Sequence, residues 1–210
     1  MQKRRARSSL IKKKKITAYH EAGHAILFHV LPHMDPVYTI SIIPTGMGAA
    51  GYTMPLPDND EMFNTKNKMM EDITTLLGGR VAEEIIFGDI TTGASNDIKR
   101  ATETARSMVM KYGMSEKIGL IAYGNDDDEV FIGRDLAHTR GYSEEVAREI
   151  DGEISRIIRE CHENAESIIR ENIGVLHSCA ALLLEKEKIH REEFEALFTT
   201  EKEEVAKTNE

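Results

Sequence analysis

A long amphipathic segment in the last third of the chain indicates a helical fold. From Ser143 onward, apolar residues recur at steps of three and four, the spacing of one face of an α-helix. They are Val146, Ile150, Ile154, Ile157, Ile158, Cys161, Ala165, Ile168 and Ile169. Ser143 is a residue type that caps helix starts. Gly174 interrupts the pattern, residues 175–185 resume it, and a short helix near Arg191–Phe198 completes a predicted C-terminal helical bundle.

Helical periodicity also occurs earlier in the chain. Three more helices are expected, at residues 16–31, 61–87 and 97–112. Thr17 is the predicted N-cap of the first and Pro32 its end, and Ser95 or Asn96 is the predicted cap of the third. The Gly78–Gly79 pair within the second helix predicts either a kink or a close contact with another helix.

The β content predicted by the sequence is small. Residues 37–43 (VYTISII) are typical of a strand, and a second short strand is expected around residues 50–54, after a turn rich in Gly. Residues 119–135 favour a hairpin with an acidic tip. The fold class predicted is therefore mainly α with a small β-sheet or hairpin element.

Charge is distributed unevenly along the chain, whose net charge is −9. Residues 1–15 contain eight Lys and Arg and no acid, so we interpret them as a basic linker or tail. The predicted domain spans residues 16–198, and residues 199–210 are expected to form a frayed polar tail. Because the acidic body repels phosphate, nucleic acid is not expected as a partner of the body, and only the basic tail leaves contact with nucleic acid or anionic lipid as an alternative. No apolar run approaches the ~20 residues of a membrane helix, so this chain itself is expected to be soluble.

The pattern that indicates chemistry is H-E-x-x-H at residues 20–24. His20 and His24 lie one turn apart on the same face of the predicted helix, so their rings can bind one Zn²⁺. Glu21 projects beside that face, where it can act as a general base toward a water molecule activated by the metal. Two imidazoles and a carboxylate in this order are typical of zinc-dependent peptide hydrolysis.

A catalytic zinc needs a third protein ligand, and spacing alone does not select it. His29 fits poorly, because it lies on the opposite side of an unbent helix from His20. The metzincin extension Gly-x-x-His does not follow the motif. The open candidates include His29, His33, Asp35, Glu83, Glu84, Asp89, Asp97, Asp135 and His138.

Several sequence blocks resemble one known family. AYHEAGHA at 18–25, VYTISIIPTG at 37–46, LLGGRVAEEIIFGD at 76–89, TTGASNDIKRATETAR at 91–106 and KYGMSEKIG at 111–119 are similar to the peptidase domain of FtsH, the ATP-dependent AAA zinc metalloprotease. The likeness extends from about Ile16 to Phe198. It implies a zincin-like helix carrying the H-E-x-x-H motif, followed by the helical bundle.

The resemblance also implies roles for individual residues. His20 and His24 would bind Zn²⁺, Glu21 would be the catalytic base, and Asp97 would be the third ligand. Glu83 would orient a ligand histidine. The strand residues Ile40, Ser41, Ile42 and Ile43 would form an edge that pairs with the backbone of an extended substrate.

Partners follow from the same resemblance. The family implies a homo-hexameric ring on the cytoplasmic side of a membrane, which degrades unfolded or membrane-extracted polypeptides delivered by an ATPase, with transmembrane segments in the full-length protein. This chain contains neither the ATPase module nor a transmembrane segment. Residues 46–53 have the spacing of a phosphate-binding loop, but Tyr52 stands where such a loop requires a lysine. The alternative is a zincin-like oligomerisation module that is inactive in isolation.

Overall fold

The computed structural model describes residues 2–45, 49–57, 62–123 and 141–208, with side chains from residue 10 to residue 200 within those ranges. It contains the helices α1 (Gln2–Val30), α2 (Lys66–Phe87), α3 (Ser95–Met110), α4 (Glu144–Glu171), α5 (Ile173–Lys186) and α6 (Arg191–Thr208). The strands are β1 (Val37–Ser41), β2 (Tyr52–Pro55) and β3 (Lys188–His190). This architecture confirms the predicted class, mainly α with a small β-sheet.

The first helix is longer than the sequence predicts. It begins at Gln2, so Thr17 lies inside the helix and its hydroxyl donates to the carbonyl oxygen of Lys13. The prediction that Thr17 caps the helix is therefore wrong. Lys and Arg are good helix formers, and neither Gly nor Pro interrupts the segment before Gly23. The last helix is also longer, since α6 continues past Phe198 to Thr208.

The three strands form one antiparallel sheet in the order β2-β1-β3. In the central strand, Ile40 pairs with Thr53 on one side and with Ile189 on the other. The prediction that Ile40–Ile43 form a free edge is wrong for Ile40 and Ser41, because β2 and β3 occupy both sides of β1. Beyond the strand, the Ile42 amide donates to the carbonyl of Glu187 and the Ile43 amide to the hydroxyl of Ser41.

Helices α1 and α2 cross at glycines. A Cβ added at Gly23 would lie 2.5 Å from the backbone oxygen of Gly78, and one at Gly78 would lie 2.6 Å from Leu27 Cδ1. The Gly78–Gly79 pair therefore marks a close helix contact, one of the two predicted alternatives. Because these two glycines have no side chains, α2 lies directly against the helix that carries the H-E-x-x-H motif.

Two hydrophobic clusters surround this crossing. One joins α1, the sheet and α5, with Ile26, Ile40, Leu183 and Phe194 fully buried. The other joins α2, α3 and α4, where the predicted apolar face of α4 is buried through residues such as Ile157. Ordinary core packing thus accounts for the periodicity that begins at Ser143.

Helix boundaries match the sequence signals in part. Ser143 caps α4 as predicted, by accepting from the Val146 amide. A single 3₁₀ turn at Thr92–Ala94 leads directly into α3, so the N-cap is Ala94 and neither Ser95 nor Asn96. The predicted hairpin at 119–135 lies largely outside the described residues. No single described helix is long and apolar enough to cross a membrane, although α4 and α5 together, bent by 80°, meet that criterion of length and composition.

Candidate metal centre

Helix α1 brings the two motif histidines onto one face, as the spacing predicts. Their Nε2 atoms lie 3.1 Å apart, and the side chains are 12% and 10% exposed. The rings meet nearly edge to face, with centroids 4.8 Å apart. Both inner nitrogens therefore point toward the same small volume.

The third group comes from the first turn of α3. Asp97 Oδ2 lies 3.4 Å from His20 Nε2 and 3.6 Å from His24 Nε2. Ligand atoms held at about 2.0–2.1 Å by a tetrahedral zinc lie about 3.3–3.4 Å from each other. The three separations are close to that value, so these residues fit a zinc ion in donor type and in geometry. In the described part of the chain this is the one group of three such side chains close enough to share an ion.

The outer nitrogen of each ring is also fixed by a hydrogen bond. His20 Nδ1 donates to Glu83 Oε1 at 2.8 Å, and His24 Nδ1 donates to the backbone oxygen of Thr75 at 2.8 Å. A carbonyl can only accept, so Nδ1 of His24 carries a proton and its Nε2 keeps the lone pair for a metal. Sequence reasoning found Glu83 through the family resemblance. It missed Thr75, because a backbone carbonyl leaves no signal in the residue type.

Glu83 also connects His20 to the segment before Asp97. Its Oε2 accepts from the Thr91 amide at 2.8 Å, and Arg80 Nη2 donates to the Thr91 carbonyl at 3.0 Å. The backbone amide and the backbone carbonyl of Thr91 are thus both hydrogen-bonded to side chains of α2. This pair of bonds holds the start of α3, and therefore Asp97, at a defined distance from the histidines.

Acidic residues surround the rings and favour a cation between them. Burial would lower the pKa of His20, but hydrogen bonds to Asp97 and Glu83 and the charge of Glu21 raise it to about 9. Burial likewise opposes ionisation of Asp97, but the adjacent rings of His20 and His24 bring its pKa well below its usual range. Hydrogen bonds from His20 and Thr91 lower the pKa of Glu83 against the opposing effect of burial. Both carboxyl groups are therefore ionised at neutral pH, which suits a divalent cation.

Gly79 allows α2 to reach the ring of His20. A Cβ at this position would lie 2.5 Å from both Cε1 and Nε2 of the ring. Because the ring is held at Nδ1 by Glu83, moving it away from an added Cβ would disturb that hydrogen bond. Only a residue without a side chain fits here without displacing a candidate ligand.

Glu21 is 6% exposed and lies against strand β2. The Thr53 hydroxyl donates to its Oε2 at 2.8 Å. A Cβ added at Gly51 would lie 2.9 Å from its Oε1. The predicted base is thus enclosed beside the predicted ligands.

The other candidates for the third ligand have different partners. His33 pairs with Glu71 at 2.7 Å, Glu84 pairs with His162 at 3.0 Å, and His29 stacks on Phe198. None of them belongs to the His20–His24–Asp97 group. The same is true of Asp35 and Asp89, whereas Asp135 and His138 lie outside the described residues.

Comparison with known proteins identifies the family. The model of Peptidase family M41 matches residues 8–197, which is most of the chain. The chain belongs to peptidase family M41. This finding confirms the predicted resemblance. The candidate ligands and base of this M41 chain all lie within the matched range, on α1 and α3.

Curated relatives of this M41 chain support the same conclusion. It is 54% identical over 198 residues to "ATP-dependent zinc metalloprotease FtsH 1" of Thermoanaerobacter sp. (strain X514), covering 94% of this chain and 32% of that protein. It is 55% identical to the FtsH of Caldicellulosiruptor bescii, covering 92% of this chain and 31% of the relative. With the FtsH of Thermotoga maritima the identity is 48%, covering 92% and 32%. The chain thus spans about a third of the length of these relatives.

Proposed function

We propose that this M41 chain is a zinc-dependent endopeptidase domain that hydrolyses peptide bonds of unfolded polypeptides. The observation that carries the proposal is the geometry of His20 Nε2, His24 Nε2 and Asp97 Oδ2, which match the separations of tetrahedral ligands beside a buried carboxylate. The relatives' names, which describe zinc metalloproteases, support zinc as the ion.

In this proposal each residue has a defined task. His20, His24 and Asp97 would hold the ion, and Glu83 and the Thr75 carbonyl would keep the two rings in the required tautomer and orientation. Bound zinc would acidify a water molecule and polarise the scissile carbonyl. Glu21 would accept the proton of the attacking water and return it to the leaving amine. No side chain would form a covalent bond with the substrate.

The free edge of the sheet suggests how substrate binds. Since β1 is the central strand, we propose that the outer edge of β2 (Tyr52–Pro55) pairs with an extended polypeptide. Among the described residues, no other strand pairs with that edge. The Thr53 hydroxyl on the same strand reaches Glu21, so a peptide added here would lie close to the proposed base. Backbone pairing demands little of the substrate sequence, which suits an unfolded polypeptide.

We further propose that other parts of a longer protein deliver the substrate. The chain spans about a third of relatives whose names call them ATP-dependent, and its own phosphate-loop-like segment lacks the lysine. An ATPase module would then unfold or extract substrates. A homo-hexameric ring on the cytoplasmic side of a membrane would pass them to this domain.

The test is cleavage of an unfolded, fluorogenic peptide by the zinc-loaded chain, with zinc content measured in parallel. We expect Glu21→Gln to keep stoichiometric zinc and to lose at least about 100-fold in kcat, as for removal of a general base. We expect Asp97→Ala to lose zinc. Glu84→Gln is the matched control, because Glu84 neighbours Glu83 but pairs with His162.

Two results would contradict the proposal. Normal cleavage by Glu21→Gln would show that the base is wrongly assigned, and full zinc content in Asp97→Ala would remove that residue from the ligand set. A wild-type chain that binds zinc but cleaves no unfolded peptide would favour the alternative of an inactive oligomerisation module.

A further inference from the structure

We propose that Thr53 is a positioning residue for Glu21: its hydroxyl holds the carboxylate of the base in its reactive orientation. The inference rests on the proposed peptidase function, because it assigns a role within that reaction. It follows from a hydrogen bond between β2 and the base and from the close approach of Gly51, the residue before that strand, and nothing in the H-E-x-x-H pattern points to it.

The first contact is a hydrogen bond from the strand to the carboxylate. Thr53 Oγ1 lies 2.8 Å from Glu21 Oε2 and 3.1 Å from the backbone oxygen of the same residue. Both atoms can only accept from the hydroxyl when the carboxylate is ionised, so Thr53 donates. One hydroxyl thereby fixes the end of the Glu21 side chain relative to its own backbone.

The second contact encloses the other oxygen. Gly51 lies two residues before Thr53, and a Cβ there would lie 2.9 Å from Glu21 Oε1, 2.6 Å from the Ser41 carbonyl oxygen and 2.8 Å from Thr17 Cγ2. Residues two apart in an extended segment face the same side. The backbone at Gly51 and the hydroxyl of Thr53 therefore confine the two carboxylate oxygens from the same side.

The strand that carries these contacts is itself held in place. Thr53 pairs with Ile40 of the central strand, and Ile40 also pairs with Ile189 of β3. The Thr53 hydroxyl is thus carried by a paired strand of the sheet and not by a free loop. A base acts only within hydrogen-bond reach of its proton, and a misplacement of about 1 Å can cost about 100-fold in rate. Fixing the carboxylate in advance avoids that loss.

The experiment compares Thr53→Val with Thr53→Ser in the zinc-loaded chain. Valine has the shape of threonine without the hydroxyl, whereas serine keeps the donor. We expect Thr53→Val to lower kcat about 10- to 100-fold, with KM within about threefold of wild type and zinc content unchanged. We expect Thr53→Ser to recover most of that kcat.

Thr39→Val provides the matched control within the same sheet. The Thr39 hydroxyl contacts His190 Nδ1 at 2.8 Å and is buried in the central strand, away from Glu21. Its loss should lower the melting temperature without a comparable fall in kcat. A purely structural role for Thr53 would instead make Thr53→Val resemble Thr39→Val.

A second measurement does not depend on activity. In the zinc-free chain, Thr53→Val and Glu21→Ala should be non-additive in denaturant unfolding, because each removes one partner of the same hydrogen bond. Wild-type kcat in Thr53→Val, equal losses in the Val and Ser variants, or strict additivity would each overturn the inference. If instead the wild-type chain cleaves no peptide while the two changes remain coupled in unfolding, the proposed peptidase function fails and the contact stands.

Discussion

The substitution Gly79→Ala should separate metal binding from folding. The added Cβ would lie 2.5 Å from Cε1 and Nε2 of His20. An ordinary carbon contact needs about 3.5 Å, so the ring must retreat by about 1 Å. Zinc–ligand distances tolerate about 0.2 Å. The displacement is therefore several times larger than the site can accept, and it also breaks the bond from His20 Nδ1 to Glu83.

We expect zinc affinity to fall at least about 100-fold in Gly79→Ala, measured by competition with a chromogenic chelator. Folding should change far less, because alanine favours the helix by about 0.8–1.0 kcal/mol and overpacking costs about 1–3 kcal/mol. Gly152→Ala in α4 is the control, since nothing lies within 4 Å of its added Cβ. It should stabilise the chain by about 0.5–1 kcal/mol and leave zinc affinity unchanged. Wild-type zinc affinity in Gly79→Ala would refute the reasoning.

Two further predictions concern stability. A hydrogen bond from Arg156, and with a smaller effect one from Ser115, lowers the pKa of Glu153 in the folded chain, so the stability that the ionised carboxylate contributes is complete at neutral pH and is lost as pH falls below about 4. In urea unfolding, Glu153→Gln should therefore lower the free energy of unfolding by about 1–2 kcal/mol at pH 7 and by progressively less in acid. A loss of stability that does not depend on pH would contradict this. Gly88 ends α2 with φ of +59° and has open space around its added Cβ, so Gly88→Ala should lower the free energy of unfolding by about 1 kcal/mol through backbone strain alone, and an equally stable variant would refute it.

Features set by neighbouring residues were predictable from the sequence. The face shared by His20 and His24 follows from helix geometry, and the start of α4 follows from the capping side chain of Ser143. Both depend on interactions within one turn of helix. The basic segment was interpreted from its charge as a linker or tail, yet the same lysines and arginines have high helix propensity and form the first half of α1.

Features set by distant segments were not predictable from residue patterns. Asp97 reaches the histidines because Thr91 is bound to Arg80 and Glu83, which spacing does not encode. Only the family resemblance selected it. The edge assigned to Ile40 failed for a similar reason, because the three residues of β3 are too few for a period-two pattern and their pairing joins segments about 150 residues apart.

That late pairing has a consequence for synthesis. Residues 188–190 complete the sheet, and Ile189 and Phe194 enter the core beside α1. In a chain still emerging from the ribosome, the pair of strands β1 and β2 is available long before the closing strand, because β3 follows β1 by about 150 residues. Closure of the sheet should accordingly wait until β3 has been synthesised, and shortening the chain before residue 188 should leave β1 without its second neighbour.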